Sequence, residues 1–391
     1  AVSGEDFHLR QVAEREKVKI APLTMKRSIS PFYDLVALWQ LYRLFRNERP
    51  QIVHSITPKA GLLSMLAAKM AGVPIRMHTF TGLIFPSKKG LMQCLLIKMD
   101  QLLCWAATNI YPEGNGVKQD LINCNITSKS LKVLANGNVN GIDLNYFSQS
   151  QVSIEQKKQL QQELGIILPN DFVFIFVGRL VGDKGINELI SAFSQLETPN
   201  SKLLLVGPFE QELDPLKKET IYSIENNPNI ISVGYQQDVR PYFSIANVLV
   251  FPSYREGFPN VVMQAGSMGL PSIVTNINGC NEIINEGKNG WIVPVKDEVA
   301  ILNAMQHCLT NTEALSNAKS NARQLITDRF EQKVVWEYDG PNHFNDTWKF
   351  QRDLDRDIYF DNLGYKVKRW PYFCQLTRDV AKHYFGKDYS E

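Results

Sequence analysis

The sequence predicts an α/β fold built on parallel β-sheets. Short apolar runs alternate with amphipathic helical stretches along most of the chain, and loops that contain glycine follow several of the apolar runs. This succession is typical of strand–helix–strand units, in which helices cover both faces of a parallel sheet. A length of 391 residues is enough for two such domains with a small appendage.

The first half of the chain gives the pattern in order. After Ser30-Pro31, apolar residues recur at helical spacing as far as Phe45, and Pro50 ends the helix. Further helices are predicted at 58–71 and 90–105, and strands at 52–55, 74–80 and 131–134. The stretch 135–143 is rich in Asn and Gly, which indicates a linker between domains.

The start of the chain departs from this pattern. It begins at Ala1, and residues 5–16 are polar and helical in character, with no apolar opening strand recognisable before them. We expect an N-terminal truncation that removes the first strand and its loop. The alternative is a processed or differently built start.

The second half repeats the alternation more regularly. We predict three domains or segments: residues 1–143, residues 144–333 and a tail of residues 334–391. Strands are predicted at 172–177, 203–206, 230–233, 248–251, 272–275 and 291–294, and helices at 154–165, 186–196 and 261–268.

Composition excludes several classes of function. The formal net charge is only +2, so no global attraction to nucleic acid is expected. Six cysteines occur without a C-x-x-C pair, which argues against a zinc site or a disulfide framework and favours a reducing, cytoplasmic setting. No apolar run approaches the ~20 residues of a membrane-spanning helix.

The first motif that carries chemistry is the loop Gly178–Gly185. It follows an apolar strand, precedes a helix and contains Arg179 and Lys184. Ligands of open α/β sheets bind beyond the carboxyl ends of the strands, where helix N-termini and cations attract phosphate. The alternative is a solvated loop with two surface cations.

The second motif runs from Arg255 to Ala265. Glu256 lies in a loop after a strand, Gly257 allows close approach of a ligand, and Gln264 lies early on the following helix. The amides of that helix would point towards the same crevice as the first motif. The alternative is a capped helix on which Gln264 faces solvent.

Taken together, the two motifs resemble the family-4 retaining glycosyltransferases of the GT-B fold. The matching residues are Gly178-Arg179-Leu180 with Lys184-Gly185, and Glu256 to Ala265 with one departure at Gln264. Supporting stretches are residues 276–283, 287–291, 54–61, 79–82 and 137–143, the last three resembling the bacterial capsular and lipid-linked-oligosaccharide branch. The resemblance spans about residues 5–335 and implies two Rossmann-like doubly wound domains that face a cleft.

The resemblance also implies an activity. It is the metal-independent, retaining transfer of a hexose or N-acetylhexosamine from a UDP- or GDP-sugar, with no cofactor, to a lipid diphosphate-linked or saccharide acceptor in surface polysaccharide synthesis. The alternatives are a catalytically incomplete fragment that binds nucleotide-sugar, or a chimera whose tail acts on nucleic acid.

Residue roles follow from the resemblance. Arg179 and Lys184 would hold the diphosphate, and Glu256 would lie beside the donor sugar. Gln264 stands where relatives have a second glutamate that holds the ribose. A charged hydrogen bond contributes roughly 1.5–3 kcal/mol and a neutral one roughly 0.5–1.5 kcal/mol. We therefore expect Gln264 to bind the ribose more weakly than the glutamate of those relatives does. The remaining predicted donor-binding residues are Gly178, Gly257, Phe258, Pro259, Asn260 and Val261.

The first half should supply the acceptor side of the cleft. His78 and Thr81 lie where many relatives carry a histidine after a strand, and His54 and Lys59 follow another strand. The alternative for His78 is a buried strand histidine with a structural role.

A membrane contact is predicted beside this side of the cleft. Lys88 and Lys89 precede the apolar helix 90–105, which indicates contact with the inner face of the cytoplasmic membrane. The alternative is an ordinary core helix after a basic loop.

The tail changes character after Phe330. Residues 334–344 and 352–372 resemble restriction-endonuclease-like and RAP-type modules, in a small α+β appendage. No upstream acidic strand completes a metal site, so we expect a partial module and no nucleic-acid partner. Asp353, Asp355 and Asp357 are expected to be a solvated charge run.

Overall fold

The computed structural model describes residues 2–4, 9–10, 13–14, 19–25, 30–138, 141–210, 214–330, 334–339 and 366–371. The chain divides into two compact units. The larger unit comprises Ala1–Val139 and Asn145–Phe330, and the smaller comprises Asn140–Leu144 and Glu331–Glu391. No helix in the described part of the chain is both long and apolar enough to cross a bilayer.

The first half of the larger unit holds two small parallel sheets. Strand β1 (Val2–Gly4) pairs with β2 (Ala21–Leu23), and a second sheet has the order β3 (Ile52–Ser55), β4 (Ile75–Phe80), β5 (Asn109–Pro112). A cavity of about 880 Å³ is lined by residues of both β1 and β3. Strand β1 was not predicted from the sequence, because a three-residue strand carries no apolar run to reveal it.

In the part of the first half that is described from residue 30 onwards, four α-helices accompany these strands, and their apolar faces form one core. Helix α1 packs against α2, and its buried residues are Ala37, Leu41 and Phe45. Pro31 and Pro58 each begin a helix, where the missing amide hydrogen costs nothing. The helices are α1 (Pro31–Glu48), α2 (Pro58–Ala71), α3 (Gly90–Ala106) and α4 (Asn115–Asn123).

The strand predicted at 131–134 was wrong. Only Leu131 makes an isolated parallel bridge, to Ile110 at the edge of β5. The backbone then turns sharply, because Ala135 and Asn138 adopt φ angles of 48° and 52°. Such left-handed conformations do not continue an extended strand.

The second half of the larger unit is one six-stranded parallel sheet. Its order is β11-β10-β9-β6-β7-β8, so β6 and β9 are central neighbours. Every residue of β9 is buried, as expected for a strand covered on both faces. The strands are β6 (Phe172–Val177), β7 (Ser201–Val206), β8 (Ile230–Ser232), β9 (Val248–Phe251), β10 (Ser272–Thr275) and β11 (Gly290–Val293).

Among the residues described in this half, eight α-helices surround the sheet. The last, α12, packs against α9, and Gly266 makes the approach close, since a Cβ there would lie 2.6 Å from Ile326 Cγ1. The helices are α5 (Ile154–Leu164), α6 (Ile186–Ser194), α7 (Lys218–Asn226), α8 (Arg240–Ser244), α9 (Asn260–Ser267), α10 (Cys280–Ile283), α11 (Glu298–Thr310) and α12 (Thr312–Phe330).

The smaller unit is described only in part. Strands β12 (Val334–Asp339) and β13 (Lys366–Pro371) pair in parallel. The aspartates at 353, 355 and 357, and most of the tail's predicted module, lie outside the described residues.

Candidate donor and acceptor site

Two loops meet at the carboxyl edge of the six-stranded sheet. One connects β6 to α6 and contains Gly178 to Gly185, and the other connects β9 to α9 and contains Glu256 to Pro259. Because β6 and β9 are parallel neighbours, both loops leave the sheet at the same edge. The two sequence motifs therefore form one site.

Lys184 and Glu256 join the two loops directly. The Lys184 ammonium donates a hydrogen bond to Glu256 Oε1, and both side chains are about one-sixth exposed. Ser253 Oγ also donates to Glu256 Oε1, at 2.9 Å. The carboxylate is thus held in one orientation by a cation and a hydroxyl, as expected of a group that must meet a ligand in fixed geometry.

Arg179 lies at the end of β6 beside an acidic partner. Its Nη1 donates to Glu210 Oε2 at 2.7 Å, and the Arg179 side chain remains 38% exposed. A second anion could therefore be bound by the guanidinium, which has five donors. Beside it, Gly178 lies so close to Gly207 that a Cβ on Gly207 would meet the Gly178 carbonyl oxygen at 1.8 Å.

The donor loop touches the first half of the chain at Gly257. A Cβ on Gly257 would lie 1.9 Å from the carbonyl oxygen of Thr81, so no side chain fits there. Gly82 completes the contact, with a φ of 140° that favours glycine. The backbone of Thr81, predicted on the acceptor side, therefore lies against the donor loop.

The N-terminus of α9 completes the donor side. Pro259 is its N-cap residue, and Asn260 Oδ1 accepts a hydrogen bond from Asn138 Nδ2 at 2.6 Å. Phe258 is buried in an edge-to-face contact with Phe330. Val261 and Gln264 are half-buried in the first two turns, and within the described residues the Gln264 side chain makes no hydrogen bond that would occupy it.

Glu113 is a site residue that the sequence analysis missed. It follows β5 and is only 6% exposed, and its own backbone hydrogen-bonds Phe80 and Asn138. Burial, followed by the charge of Glu256, raises the pKa of Glu113 to about 7. No sequence motif marks it, because its proximity to Glu256 arises only when the two halves of the unit pack together.

The predicted acceptor-side histidines occupy different environments. His54 Nε2 lies 2.8 Å from Thr79 Oγ1, on the wall of the cavity between the two small sheets. Its pKa is lowered by burial. His78 is fully buried, with Nδ1 2.8 Å from Ser55 Oγ. Burial, and then the charge of His54, lower the pKa of His78 to about 4, so it is neutral at physiological pH.

Lys59, which was predicted on the acceptor side, is held by an ion pair. It lies at the start of α2 and forms this ion pair with Asp34 at 2.5 Å. Among the described residues, no group of three His, Cys, Asp or Glu side chains is arranged to hold a metal ion.

Comparison with known proteins identifies the family. Residues 3–137 match the family described as "Glycosyl transferase 4-like domain", and residues 157–325 match "Glycosyl transferases group 1". The chain is 32% identical over 339 residues to the capsular polysaccharide biosynthesis glycosyltransferase CapM of Staphylococcus aureus, which covers 86% of this chain and 87% of that protein. The chain belongs to the group 1 glycosyltransferases.

This glycosyltransferase is also similar to two enzymes whose names specify a lipid-linked acceptor. One is the UDP-Gal:alpha-D-GlcNAc-diphosphoundecaprenol alpha-1,3-galactosyltransferase of Escherichia coli, 29% identical over 78% of each chain. The other is the N,N'-diacetylbacillosaminyl-diphospho-undecaprenol alpha-1,3-N-acetylgalactosaminyltransferase of Campylobacter jejuni, 23% identical over 80% of this chain and 82% of that protein.

Solved structures confirm the fold of this glycosyltransferase. Anabaena Alr3699/HepE in complex with UDP-glucose matches with a TM-score of 0.70 at 20% identity, covering 85% of this chain and 88% of that one. WaaG, a glycosyltransferase involved in lipopolysaccharide biosynthesis, matches with a TM-score of 0.62 at 14% identity, covering 79% and 82%. The prediction of a GT-B α/β architecture is thus confirmed.

Proposed function

We propose that this glycosyltransferase moves a hexose or N-acetylhexosamine from a UDP-sugar to a lipid diphosphate-linked acceptor, with retention of anomeric configuration and without a metal, in the synthesis of a surface polysaccharide. The observation that carries the proposal is the direct contact of Lys184 with Glu256 beside the N-terminus of α9. It joins a cation from one donor loop to a carboxylate in the loop that leads into α9.

The donor side divides into roles that match the charges of a nucleotide-sugar. Lys184 and Arg179 bind the diphosphate, on which negative charge grows as its bond to the sugar breaks. The backbone from Gly257 to Val261 offers amide donors to the same phosphates. Glu256 contacts the sugar, and Gln264 hydrogen-bonds the ribose as a neutral amide.

The choice of UDP follows from relatives. The Escherichia coli relative is named for UDP-Gal, and HepE is solved with UDP-glucose. Calorimetric titration with UDP and GDP tests this choice, because it measures donor binding without any acceptor. We expect UDP to bind at least tenfold more tightly, and tighter binding of GDP would overturn the choice.

Retention and metal independence need separate measurements. We expect the proton NMR spectrum of the purified product to show the anomeric configuration of the donor sugar. We expect EDTA to leave the rate unchanged. An inverted product would contradict the retaining mechanism, and loss of activity that Mg²⁺ or Mn²⁺ restores would contradict metal independence.

An enzyme with a lipid-linked acceptor must reach that acceptor at a membrane surface. Helix α3 has an exposed apolar face that can contact such a surface. Leu91 is 91% exposed, and Met92 and Leu95 are about half exposed. The exposed Lys88 and Lys89 precede them, so apolar and cationic groups lie together. We propose that this α3 face binds the anionic surface of the cytoplasmic membrane from the cytoplasmic side.

Vesicle sedimentation tests the membrane proposal. We expect the chain to pellet with vesicles containing phosphatidylglycerol, and the double variant Leu91→Glu, Leu95→Glu to remain in the supernatant. The double variant Tyr222→Glu, Tyr235→Glu, at positions 68% and 73% exposed and outside α3, adds the same charge and should still pellet. Equal sedimentation of all three proteins would overturn the proposal.

A further inference from the structure

A second cluster of cations lies beside the Lys184–Glu256 pair and includes residues from both donor loops. It lines a cavity of about 520 Å³ and comprises Lys88, Arg179, Arg255 and Lys296, with Asp183 and Asp214 as the anionic residues. The predicted donor residues Lys184, Glu256 and Gln264 do not line this cavity. Only Arg179 is shared between the two sites.

The charges of this cavity are only partly compensated. Arg255 pairs with Asp183 at 3.0 Å, and Arg179 pairs with Glu210. Within the described residues, no ion pair compensates Lys88 or Lys296. The cavity therefore carries an excess of positive charge, which favours an anion with more than one negative charge.

Lys296 is held in place rather than free in solution. Its ammonium lies 4.7 Å from the centre of the Tyr254 ring, and its backbone adopts a left-handed φ of 62°. Tyr254 is fixed in turn by donating a hydrogen bond to Glu188 Oε2 at 2.6 Å. Burial and the neighbouring carboxylate raise the pKa of Tyr254, so its hydroxyl stays protonated and keeps this bond.

The cavity is lined by residues next in sequence to the donor carboxylate and to the apolar helix face. Arg255 directly precedes Glu256, and Lys88 lies two residues before the start of α3, whose Leu91 is almost fully exposed. A molecule with a sugar, a phosphate group and an apolar chain in that order would place its sugar near Glu256. Its phosphates would then lie in the cavity, and its chain along α3.

We propose that this cavity binds the diphosphate of the lipid-linked acceptor through Lys88 and Lys296, with Arg255 exchanging its bond to Asp183 for one to phosphate. The inference rests on the proposed function, because it assumes that the acceptor is a lipid diphosphate. It adds a binding subsite whose residues come from both halves of the larger unit.

Binding of a simple lipid diphosphate in the presence of UDP tests the proposal. UDP is first added to saturation, so that the donor subsite is occupied. Farnesyl diphosphate, inorganic diphosphate and farnesol are then titrated by calorimetry into the full chain. We expect both diphosphates to bind while UDP is present, and farnesol to bind at least tenfold more weakly than farnesyl diphosphate.

Paired variants identify the residues responsible. We expect the double variant Lys88→Ala, Lys296→Ala to bind farnesyl diphosphate at least about tenfold more weakly, since each lost charged hydrogen bond weakens binding severalfold or more. Its affinity for UDP should be unchanged. The control is Lys158→Ala, Lys288→Ala, which removes the same charge at exposed positions outside the cavity and should bind both ligands normally.

The outcomes separate this inference from the proposed function. The acceptor subsite is wrong, and the donor site stands, in either of two cases in which UDP binds. In the first, farnesyl diphosphate competes with UDP. In the second, farnesyl diphosphate binds the two double variants with equal affinity. If UDP itself does not bind to the wild-type chain, the proposed function fails first.

Discussion

At the scale of single residues, the site depends on a few close contacts that the sequence only partly reveals. Lys184 and Glu256 were predicted from their motifs, because both motifs follow strands and such loops gather at one sheet edge. Glu113 was not predicted, since nothing around it in the sequence resembles a site. Its environment comes from packing, which no local pattern encodes.

The buried carboxyl of Glu113 makes stability depend on pH. Its pKa is about 7 in the folded protein, against an ordinary value of 4.5. The folded state therefore binds a proton more tightly than the unfolded chain. Ionising Glu113 in the folded protein lowers the free energy of unfolding. This loss of stability is absent below pH 4.5, grows as pH rises towards 7 and is complete above pH 7. The negative charge of Glu256 raises the pKa of Glu113 further, although Glu256 is itself paired with Lys184.

We expect Glu113→Gln to remove this loss of stability. The variant should be more stable than wild type at pH 8, by on the order of 1 kcal/mol, and the difference should shrink as pH falls to 4.5. Urea unfolding at several pH values measures it. A difference that does not change with pH would show that the carboxyl is not held in the raised-pKa state.

Gly257 should tolerate no side chain. In Gly257→Ala the new Cβ would meet the Thr81 carbonyl oxygen at 1.9 Å, so the donor loop must move away from Thr81. We expect at least a tenfold loss in kcat/KM and weaker UDP binding. Gly72→Ala is the control: that glycine, φ 79°, has open space around it, so only backbone strain of about 1 kcal/mol is expected. Equal activity of the two variants would contradict this account of the loop.

At the scale of helices and strands, the long apolar strands and the helices that begin at proline could be predicted from sequence. Strand β6 was predicted at the bounds the structure shows, as was α2. The short strands β1 and β2 could not be predicted, because three residues carry no periodicity. The strand expected at 131–134 failed for a different reason: apolar residues there are followed by left-handed turns, which pattern alone does not show.

Helix α3 shows why an apolar segment does not reveal its partner. The sequence left open whether it is a core helix or a membrane-contacting one. In the structure its buried residues are Leu103, Cys104 and Ala106, near its end, while Leu91 at its start is exposed. Hydrophobicity alone cannot distinguish the two ends, because burial depends on which neighbours pack on each turn.

Glu282, in α10 of the second half, connects that helix to the N-terminus of α4 in the first half. Its carboxylate accepts hydrogen bonds from the backbone amides of Asn115 at 2.7 Å and Gly116 at 3.0 Å, at the N-terminus of α4. A carboxylate there satisfies amides that have no partner within the helix and interacts well with the helix dipole.

We expect Glu282→Ala to destabilise the fold by about 1–2 kcal/mol and to speed hydrogen exchange in α4. Ser153→Ala is the matched control, because Ser153 caps α5 with a residue from the same half. It should cost a similar amount of about 1 kcal/mol without affecting α4. Unchanged exchange in α4 of the Glu282 variant would contradict the bridging role.

At the scale of the whole molecule, the architecture was more predictable than the substrate. Parallel sheets covered by helices, with both donor loops at one edge of the six-stranded sheet, follow from alternation and motif order, and the comparisons confirm the GT-B fold. The sugar could not be predicted, because hydroxyl recognition depends on side-chain placement from both halves. The acceptor side was the weakest prediction: His78 is buried beneath Gly61, where a Cβ would lie 2.5 Å from its ring.

The central claim is that Lys184 and its contact with Glu256 stabilise the leaving diphosphate during sugar transfer. The most direct test is the transfer of radiolabelled sugar from a panel of UDP-sugars to undecaprenyl diphosphate-linked acceptors by wild type, Lys184→Ala and the exposed control Lys288→Ala. We predict a loss of about 10²–10³-fold in kcat for Lys184→Ala, with its thermal unfolding still cooperative, and wild-type rates for the control. A folded Lys184→Ala variant that transfers sugar at the wild-type rate would contradict the claim.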